Sequence, residues 1–292
     1  MDGVSLNHIL LDPELQRMFL SLARISHAVI ACRTSPQQKA RIVRMVKTGS
    51  KPQPMTLAIG DGANDVGMNQ AADVGVGISG REGLQAVNAS DFAIAQFRFL
   101  KRLLLVHGRW NYHRMSKLFL YSFYKNVCLT VTLFLYSFFT SFSGTSLYES
   151  LVYSAFNFAL GLPIIAVGTF DRDVQAATAE AHPEVYVSGR QNMNLNIRTM
   201  SAWLVHAVVH AVIIFWVGYG CAFVWDPSGG TEPDLYVWGT AVYSSMIMAM
   251  QLRVCFETGS WTWVSYALLV ISILGFYLFI IGYSMLPTFA PE

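Results

Sequence analysis

An α/β domain followed by a bundle of α-helical transmembrane spans is the architecture this sequence predicts. Two observations carry the prediction. The run Leu57-Ala58-Ile59-Gly60-Asp61-Gly62-Ala63-Asn64-Asp65 sets two carboxylates and an amide on glycine-rich backbone after a short apolar segment. Composition supplies the second: 53% of the residues are hydrophobic and 13% charged, with mean hydropathy +0.41. That is too apolar for one soluble domain of this length. The excess is uneven, because the last lysine is Lys125 and most arginines precede it.

In chain order, His27–Cys32 reads as a strand. Ser35 then supplies an N-cap and Pro36 a first-turn proline for a helix over Gln37–Lys47 that ends at Gly49. Lys39 lies in its first turn, where a cation opposes the helix dipole unless an anion is near. It is either a solvated surface lysine or one aimed at a phosphoryl group. Arg33 likewise reaches an anionic ligand or is simply exposed.

Met55–Ile59 is too short for a helix of its own and reads as a buried strand. In open α/β sheets the ligand site lies past the carboxyl ends of the strands, which is where Asp61 falls. Asp61 and Asp65, four apart, share one side of that site if the chain turns helical after Gly62. Two hard oxygen ligands with no His or Cys beside them suit Mg²⁺, which keeps waters and a phosphate oxygen as its other ligands. The competing reading is an Asx-rich surface turn. A helix over Val66–Ala72, a glycine-rich strand over Val74–Ile78 and a short helix near Glu82–Asn88 follow. Asp91–Gln96 leads into the amphipathic stretch Phe99–Lys117, which no proline breaks. It predicts a helix running into the first span, as a mechanical coupler or a plain juxtamembrane stalk.

Five segments are long and apolar enough to cross a bilayer: 118–142, 151–170, 200–224, 236–255 and 261–286. Trp203, Trp225, Tyr236, Trp238, Trp261, Trp263 and Tyr283 near their ends fit an aromatic belt. Lys101, Arg102, Arg109, Arg114 and Lys117 precede the first span, and the linker Asp171–Thr199 carries Arg172, Arg190 and Arg198. Asp226–Leu235 has three acids and no basic residue. The N-terminal half and the 171–199 linker are therefore expected in the cytosol, with Asp226–Leu235 outside. Cys32, Cys128, Cys221 and Cys255 have no metal-ligand spacing and read as free thiols. The net charge of +2 implies no nucleic-acid partner.

Three stretches resemble P-type ATPases: Cys32-Arg33-Thr34-Ser35-Pro36-Gln37-Gln38-Lys39, Ala58–Val66, and Gly75-Val76-Gly77-Ile78-Ser79-Gly80. The runs Glu82–Ala86, Ser90–Phe97, His107-Gly108-Arg109-Trp110-Asn111-Tyr112 and Phe123-Tyr124-Lys125-Asn126 are similar to the type IV branch, the phospholipid flippases. So are Phe142-Ser143-Gly144, Phe170-Asp171-Arg172, Pro183–Tyr186 and Glu257-Thr258. The resemblance implies a partial phosphorylation domain of haloacid-dehalogenase-like, Rossmann-type α/β fold over residues 1–105. A stalk helix over 106–117 and a transmembrane domain over 118–292 complete it. ATP and Mg²⁺ are the implied cofactors: Asp61 and Asp65 would hold the metal, Lys39, Asn64 and Asp65 the phosphoryl group, and Arg33 the nucleotide. Its implied partners are the phospholipid, the plasma membrane or an endomembrane, and a small two-span accessory subunit.

The family's Asp-Lys-Thr-Gly and Asp-Gly-Glu-Thr motifs are absent from these 292 residues. The resemblance therefore implies the C-terminal part of a flippase, inactive alone. The alternatives are a truncated non-catalytic membrane protein that binds lipid or a partner, and a cation pump. A pump needs carboxylates within the membrane, and 151–170 contains none. Lys125 and Asn126 are the strongly polar groups of 118–142. At 1.5 Å per residue Lys125 lies about 10 Å deep, where it either engages a lipid headgroup with Asn126 or snorkels to the interface. Asn157 stands six residues before Pro163 instead of the family's seven, which weakens any role for it. Gly161 and Pro163 are expected to free carbonyls for a cavity, or only to kink the helix. His206 and His210 read as interhelical hydrogen-bonders.

Overall fold

The structure is a computed structural model that describes residues 1–80, 83–224 and 235–285. The chain divides into two compact units, 1–103 and 104–292.

The first unit opens with helices α1 (Gly3–Leu11), α2 (Pro13–Ile25) and α3 (Pro36–Gly49). Each begins where a side chain takes up a free backbone N–H. Asp2 accepts from the Ser5 N–H, and Asp12 accepts from that of Glu14 just before Pro13. At α3 the expected Ser35 cap is reciprocal: Ser35 Oγ accepts from the Gln38 N–H, and Gln38 Oε1 accepts from the Ser35 N–H. Leu6, Leu10 and Met45 form the small core joining the three helices, with Phe19 and Ile42 beside it.

Strand β1 (Leu57–Gly60), helix α4 (Val66–Ala71), strand β2 (Val74–Ile78), helix α5 (Gln85–Asn88), strand β3 (Phe92–Ile94) and helix α6 (Phe99–Arg102) complete the unit. Both strand pairings are parallel, in the order β1-β2-β3. Helices α4 and α5 pack on one face. Gly77 allows this approach, since a Cβ there would stand 2.6 Å from Val87 Cα.

Two expectations fail in this unit. His27–Cys32 is not a strand, because its ladder consists of one isolated bridge from Cys32 to Asp2. Without a neighbour to pair with, apolar β-formers such as Val29 and Ile30 stay exposed. Conversely, 92–94 forms an unforeseen strand. Asp91 drives it, accepting the Gly75 N–H through its carboxylate and donating its own N–H to the Gly75 carbonyl. Glu82 lies outside the described residues.

Asp73 fastens α3 to the start of β1. It pairs with Lys47 at 2.5 Å and accepts from both the N–H and hydroxyl of Thr56. The Lys47 bond and the Thr56 bonds lower its carboxyl from 3.8 to about 2. A depressed folded-state value stabilises above the unfolded value and is lost as pH falls through the folded one. Relative to its intrinsic rate, hydrogen exchange of the β1 and β2 amides should therefore accelerate between pH 4 and 2. In Asp73→Asn it should be faster at neutral pH, and the two proteins should converge near pH 2.

The second unit begins within a π-turn over Leu103–Gly108 and continues with α7 (Arg109–Phe139). Then come α8 (Ser150–Ser154), α9 (Phe156–Phe170), α10 (Ala176–Ala181), α11 (Val187–Arg190), α12 (Ile197–Tyr219), α13 (Leu235–Glu257) and α14 (Trp263–Ser284). Four helical stretches among the described residues are long and apolar enough to cross a membrane: Phe99–Phe139, Ser150–Phe170, Ile197–Ala222 and Trp263–Tyr283.

The fifth expected span, 236–255, is helical as α13 but falls short of that apolarity. Gln251, Arg253 and Glu257 lower it. Its environment explains the difference. Trp238, Val242, Tyr243, Met246, Ile247, Met250 and Val254 are buried in the main core, so protein surrounds much of α13. Residues 225–234, including Trp225 and most of the expected outer loop, lie outside the described residues, as does Leu286. All four cysteines are free thiols.

The linker after α9 is fastened to α7 and to the turn between α13 and α14. Asp171, 4% exposed, accepts from Lys117 Nζ at 2.7 Å and from the N–H groups of Gly259 and Ser260. Lys117 also donates to the Glu257 carbonyl. Burial alone would raise the Asp171 carboxyl, but Lys117 and these N–H groups hold it below the usual range. Trp110 donates to the Val174 carbonyl, with the Arg172 guanidinium 5.0 Å from its ring centroid. Arg109 pairs with Asp173 at 2.6 Å.

Candidate functional site

The first unit carries the acidic loop. Strand β1 ends at Gly60, so Asp61 stands at its carboxyl end, and a 3-10 turn over Ala63–Asp65 leads into α4. This turn puts Asp65 back against the strand. A Cβ on Gly60 would lie 2.1 Å from Asp65 Cβ, so only glycine leaves room for that carboxylate. Asp65 is buried and meets Lys39 from α3, with Nζ 2.7 Å from Oδ1. The first-turn lysine that looked misplaced by helix electrostatics thus has its anion.

Asp61 and Asn64 are exposed. No hydrogen bond or ion pair joins Arg33 to the loop among the described residues. Arg33 is exposed, with φ of 53° in the left-handed region. No cluster of three His, Cys, Asp or Glu side chains among the described residues could hold a metal ion. The donors at this loop are one free carboxylate, one lysine-paired carboxylate and an amide. Such a set fits a hard divalent cation that brings its own water and phosphate oxygens, as Mg²⁺ does.

The second unit carries the membrane cluster. Lys125 on α7 donates to Asn157 Oδ1 on α9 at 2.9 Å, and its ammonium lies 5.5 Å from the Phe156 ring centroid. The partner of Lys125 is thus Asn157, six residues before Pro163. Asn126 is adjacent in sequence but exposed, and no contact joins its side chain to Lys125. A second signal was overlooked in the sequence, the lone amide Gln251 within an apolar segment.

Gln251 meets the carbonyl that the proline frees. Pro163 cannot donate to the carbonyl of Ala159, four residues back. That carbonyl instead accepts from Gln251 Nε2 on α13 at 3.0 Å and from the Ser272 hydroxyl on α14. Gln251 and Ser272 are 1% and 2% exposed, so the freed acceptor braces three helices inside protein, and Ala159 and Ser272 also line an apolar cavity of about 300 Å³ with Leu151, Phe158 and Phe276. His210 is an interhelical hydrogen-bonder as expected: its Nδ1 lies 2.6 Å from Tyr124 Oη. Beside it, Arg253 stacks 4.1 Å from the Trp203 ring centroid.

Comparison with known proteins places the chain among relatives. A family model described as phospholipid-translocating P-type ATPase C-terminal matches residues 87–292. Phospholipid-transporting ATPase 10 of Arabidopsis thaliana is 44% identical over 296 residues, covering 100% of this chain and 24% of that protein. Probable phospholipid-transporting ATPase 7 of the same plant is 43% identical over 98% of this chain and 23% of its own length. A phospholipid-transporting ATPase of Schizosaccharomyces pombe is 44% identical over 90% of this chain and 21% of its own. The chain spans about a quarter of the length of these curated relatives.

Proposed function

This chain belongs to the phospholipid-translocating P-type ATPases, and on that premise we propose that it is the C-terminal part of an ATP-driven flippase. The enzyme would move phospholipid from the outer to the cytosolic leaflet through an aspartyl-phosphate cycle. Residues 1–105 are part of its haloacid-dehalogenase-like phosphorylation domain and lie in the cytosol, with residues 118–292 crossing the membrane. The observation that carries the reading is the pairing of Lys39 with Asp65 behind the exposed Asp61, at the carboxyl end of a parallel strand. Phosphoryl transfer requires positioning and neutralisation of charge on the transferring oxygens, and this arrangement supplies both.

Mg²⁺, when bound, would neutralise phosphate charge. Asp61 holds it directly, and Asp65 supports it while fixing Lys39. Lys39 and Asn64 hold the phosphoryl oxygens, and Arg33 contacts the nucleotide. The chain has no Asp-Lys-Thr-Gly motif, so it would not hydrolyse ATP alone. In the membrane, Lys125 engages the lipid headgroup or its phosphate, with Asn126 on the neighbouring exposed surface and Asn157 orienting the ammonium. A small two-span accessory subunit accompanies the whole enzyme.

The test uses a complete relative whose matched quarter is replaced by this chain. Lys125→Ala should lower lipid-stimulated ATP turnover about tenfold or more, the scale of one charge-assisted hydrogen bond, and spare basal turnover. Asn157→Ala should act in the same direction but less. Full lipid stimulation in Lys125→Ala would exclude the headgroup role.

A further inference from the structure

Helices α9 and α14 leave a gap between them. Asp171, at the end of α9, accepts from Gly259 and Ser260 just before α14, so the two helices run antiparallel. They touch at mid-helix, where Ser272 donates to the Ala159 carbonyl. Beyond that contact the cavity of about 300 Å³ separates them, with Phe158 in one wall and Gly275, Phe276 and Phe279 in the other. Its lining reaches back to Leu151, about 12 Å from Ala159 along a helix. Gly275 widens the gap, since a Cβ there would find no atom within 4 Å.

Chemistry and size together select an occupant. Among the described residues Ser272 is the one polar side chain in the lining, and its hydroxyl is already bonded to Ala159 and Gln251. Water would find too few partners there. Both walls belong to stretches long and apolar enough to cross a membrane. Phe158 is 71% exposed, so the cavity opens on a surface that the bilayer covers. A further helix, about 10 Å across with its side chains, is too wide to enter. A single hydrocarbon chain is narrow enough, and it restores the dispersion contacts that a void forfeits. We propose that this cavity binds one acyl chain of a membrane phospholipid, which enters from the bilayer and ends against the Ala159–Ser272 contact. Lys125 and Asn157 do not line it, so this lipid is a resident one, distinct from the lipid that Lys125 engages. Its chain holds α9 and α14 at a fixed separation and keeps the Gln251–Ala159–Ser272 contact dry. Only the crossing of a membrane by these helices is required; phosphoryl chemistry at the acidic loop is not.

The test uses the complete chimera in nanodiscs of palmitoyl-oleoyl phosphatidylcholine. These are doped with a phosphatidylcholine whose acyl chain carries a diazirine near its end. After illumination the labelled residues are mapped by mass spectrometry. Phe158, Gly275 and Phe276 should carry several times more label than Leu274, which is exposed and outside the lining. In Gly275→Leu the new side chain displaces at least two methylenes of the bound chain, so cavity label should fall about tenfold or more. Ala155→Leu fills the same space from the opposite wall and should act alike, so misfolding of one variant leaves the other. Leu274→Phe adds bulk outside the cavity and should leave its label unchanged.

Four results would overturn the proposal. Equal labelling of the cavity and Leu274 would mean surface lipid only. A cavity labelled in this chain alone but not in the chimera would be covered by another part of the enzyme. Absence of cavity label from both would make it an empty space. Label that survives both fillings would place the chain elsewhere. The readout needs neither Mg²⁺ nor ATP, so its failure is distinct from failure of the turnover test.

Discussion

Asp61→Asn, placed in a complete chimeric enzyme, is expected to reduce Mg²⁺-dependent ATP turnover by about 10²–10³-fold, the scale on which one preorganised charge contact acts. The amide keeps the size of the side chain and removes only its charge. Asp61 is exposed and bonded to no other side chain among the described residues, so the fold should be unaffected. Thermal unfolding of the variant should match the parent. Asp65→Asn should behave differently, because it also releases Lys39 from its 2.7 Å partner. Measuring turnover and unfolding together separates the two carboxylates. Near-normal turnover in Asp61→Asn would leave the acidic loop as a turn with no phosphoryl chemistry.

The second large effect is structural. Asp171→Ala removes the acceptor for Lys117 Nζ and for the N–H groups of Gly259 and Ser260. Breaking a buried ion pair on one side costs about 3–5 kcal/mol, since the remaining charge stays desolvated. Lys117 is 20% exposed along its side chain, which places the expected loss near the lower end. Asp171→Asn should cost less, because its amide oxygen still accepts from the two backbone donors while the ion pair is gone. Thermal unfolding of the detergent-solubilised chain measures both. Equal stability of the two variants would mean that the backbone donors contribute nothing and that the whole loss comes from the Lys117 ion pair.

The parts of the fold legible in the sequence were those set by local chemistry. Ser35-Pro36 announces α3, and the apolar run at Met55–Ile59 announces β1 within two residues. The glycine-rich β2 is found at its observed boundaries. The failures share a cause, dependence on distant partners. His27–Cys32 has strand composition but no neighbouring strand, whereas Phe92–Ile94 becomes a strand through Asp91 and β2. Helix α13 covers the expected span 236–255, and much of it is buried in the core.

The sites follow the same rule. Asp61, Asp65 and Lys39 are visible as a motif, and the structure brings Lys39 and Asp65 together. Lys125 and Asn126 are neighbours in sequence, and consecutive helix positions diverge by about 100°. The partner of Lys125 is Asn157, 32 residues away on another helix. Spacing from Pro163 gave no measure of that distance. Pro163 itself was read correctly as freeing a carbonyl, while the side chains that occupy it come from Gln251 and Ser272, far along the chain.

Lipid movement coupled to the acidic loop is the central claim, and one reconstitution tests it. The chimera bearing this chain is placed in sealed vesicles, and a head-labelled phospholipid is followed between leaflets on addition of Mg²⁺ and ATP. The account predicts ATP-dependent transfer toward the leaflet facing the nucleotide domain, lost in Asp61→Asn and impaired in Lys125→Ala. ATP turnover without lipid transfer, or transfer indifferent to both substitutions, would contradict it.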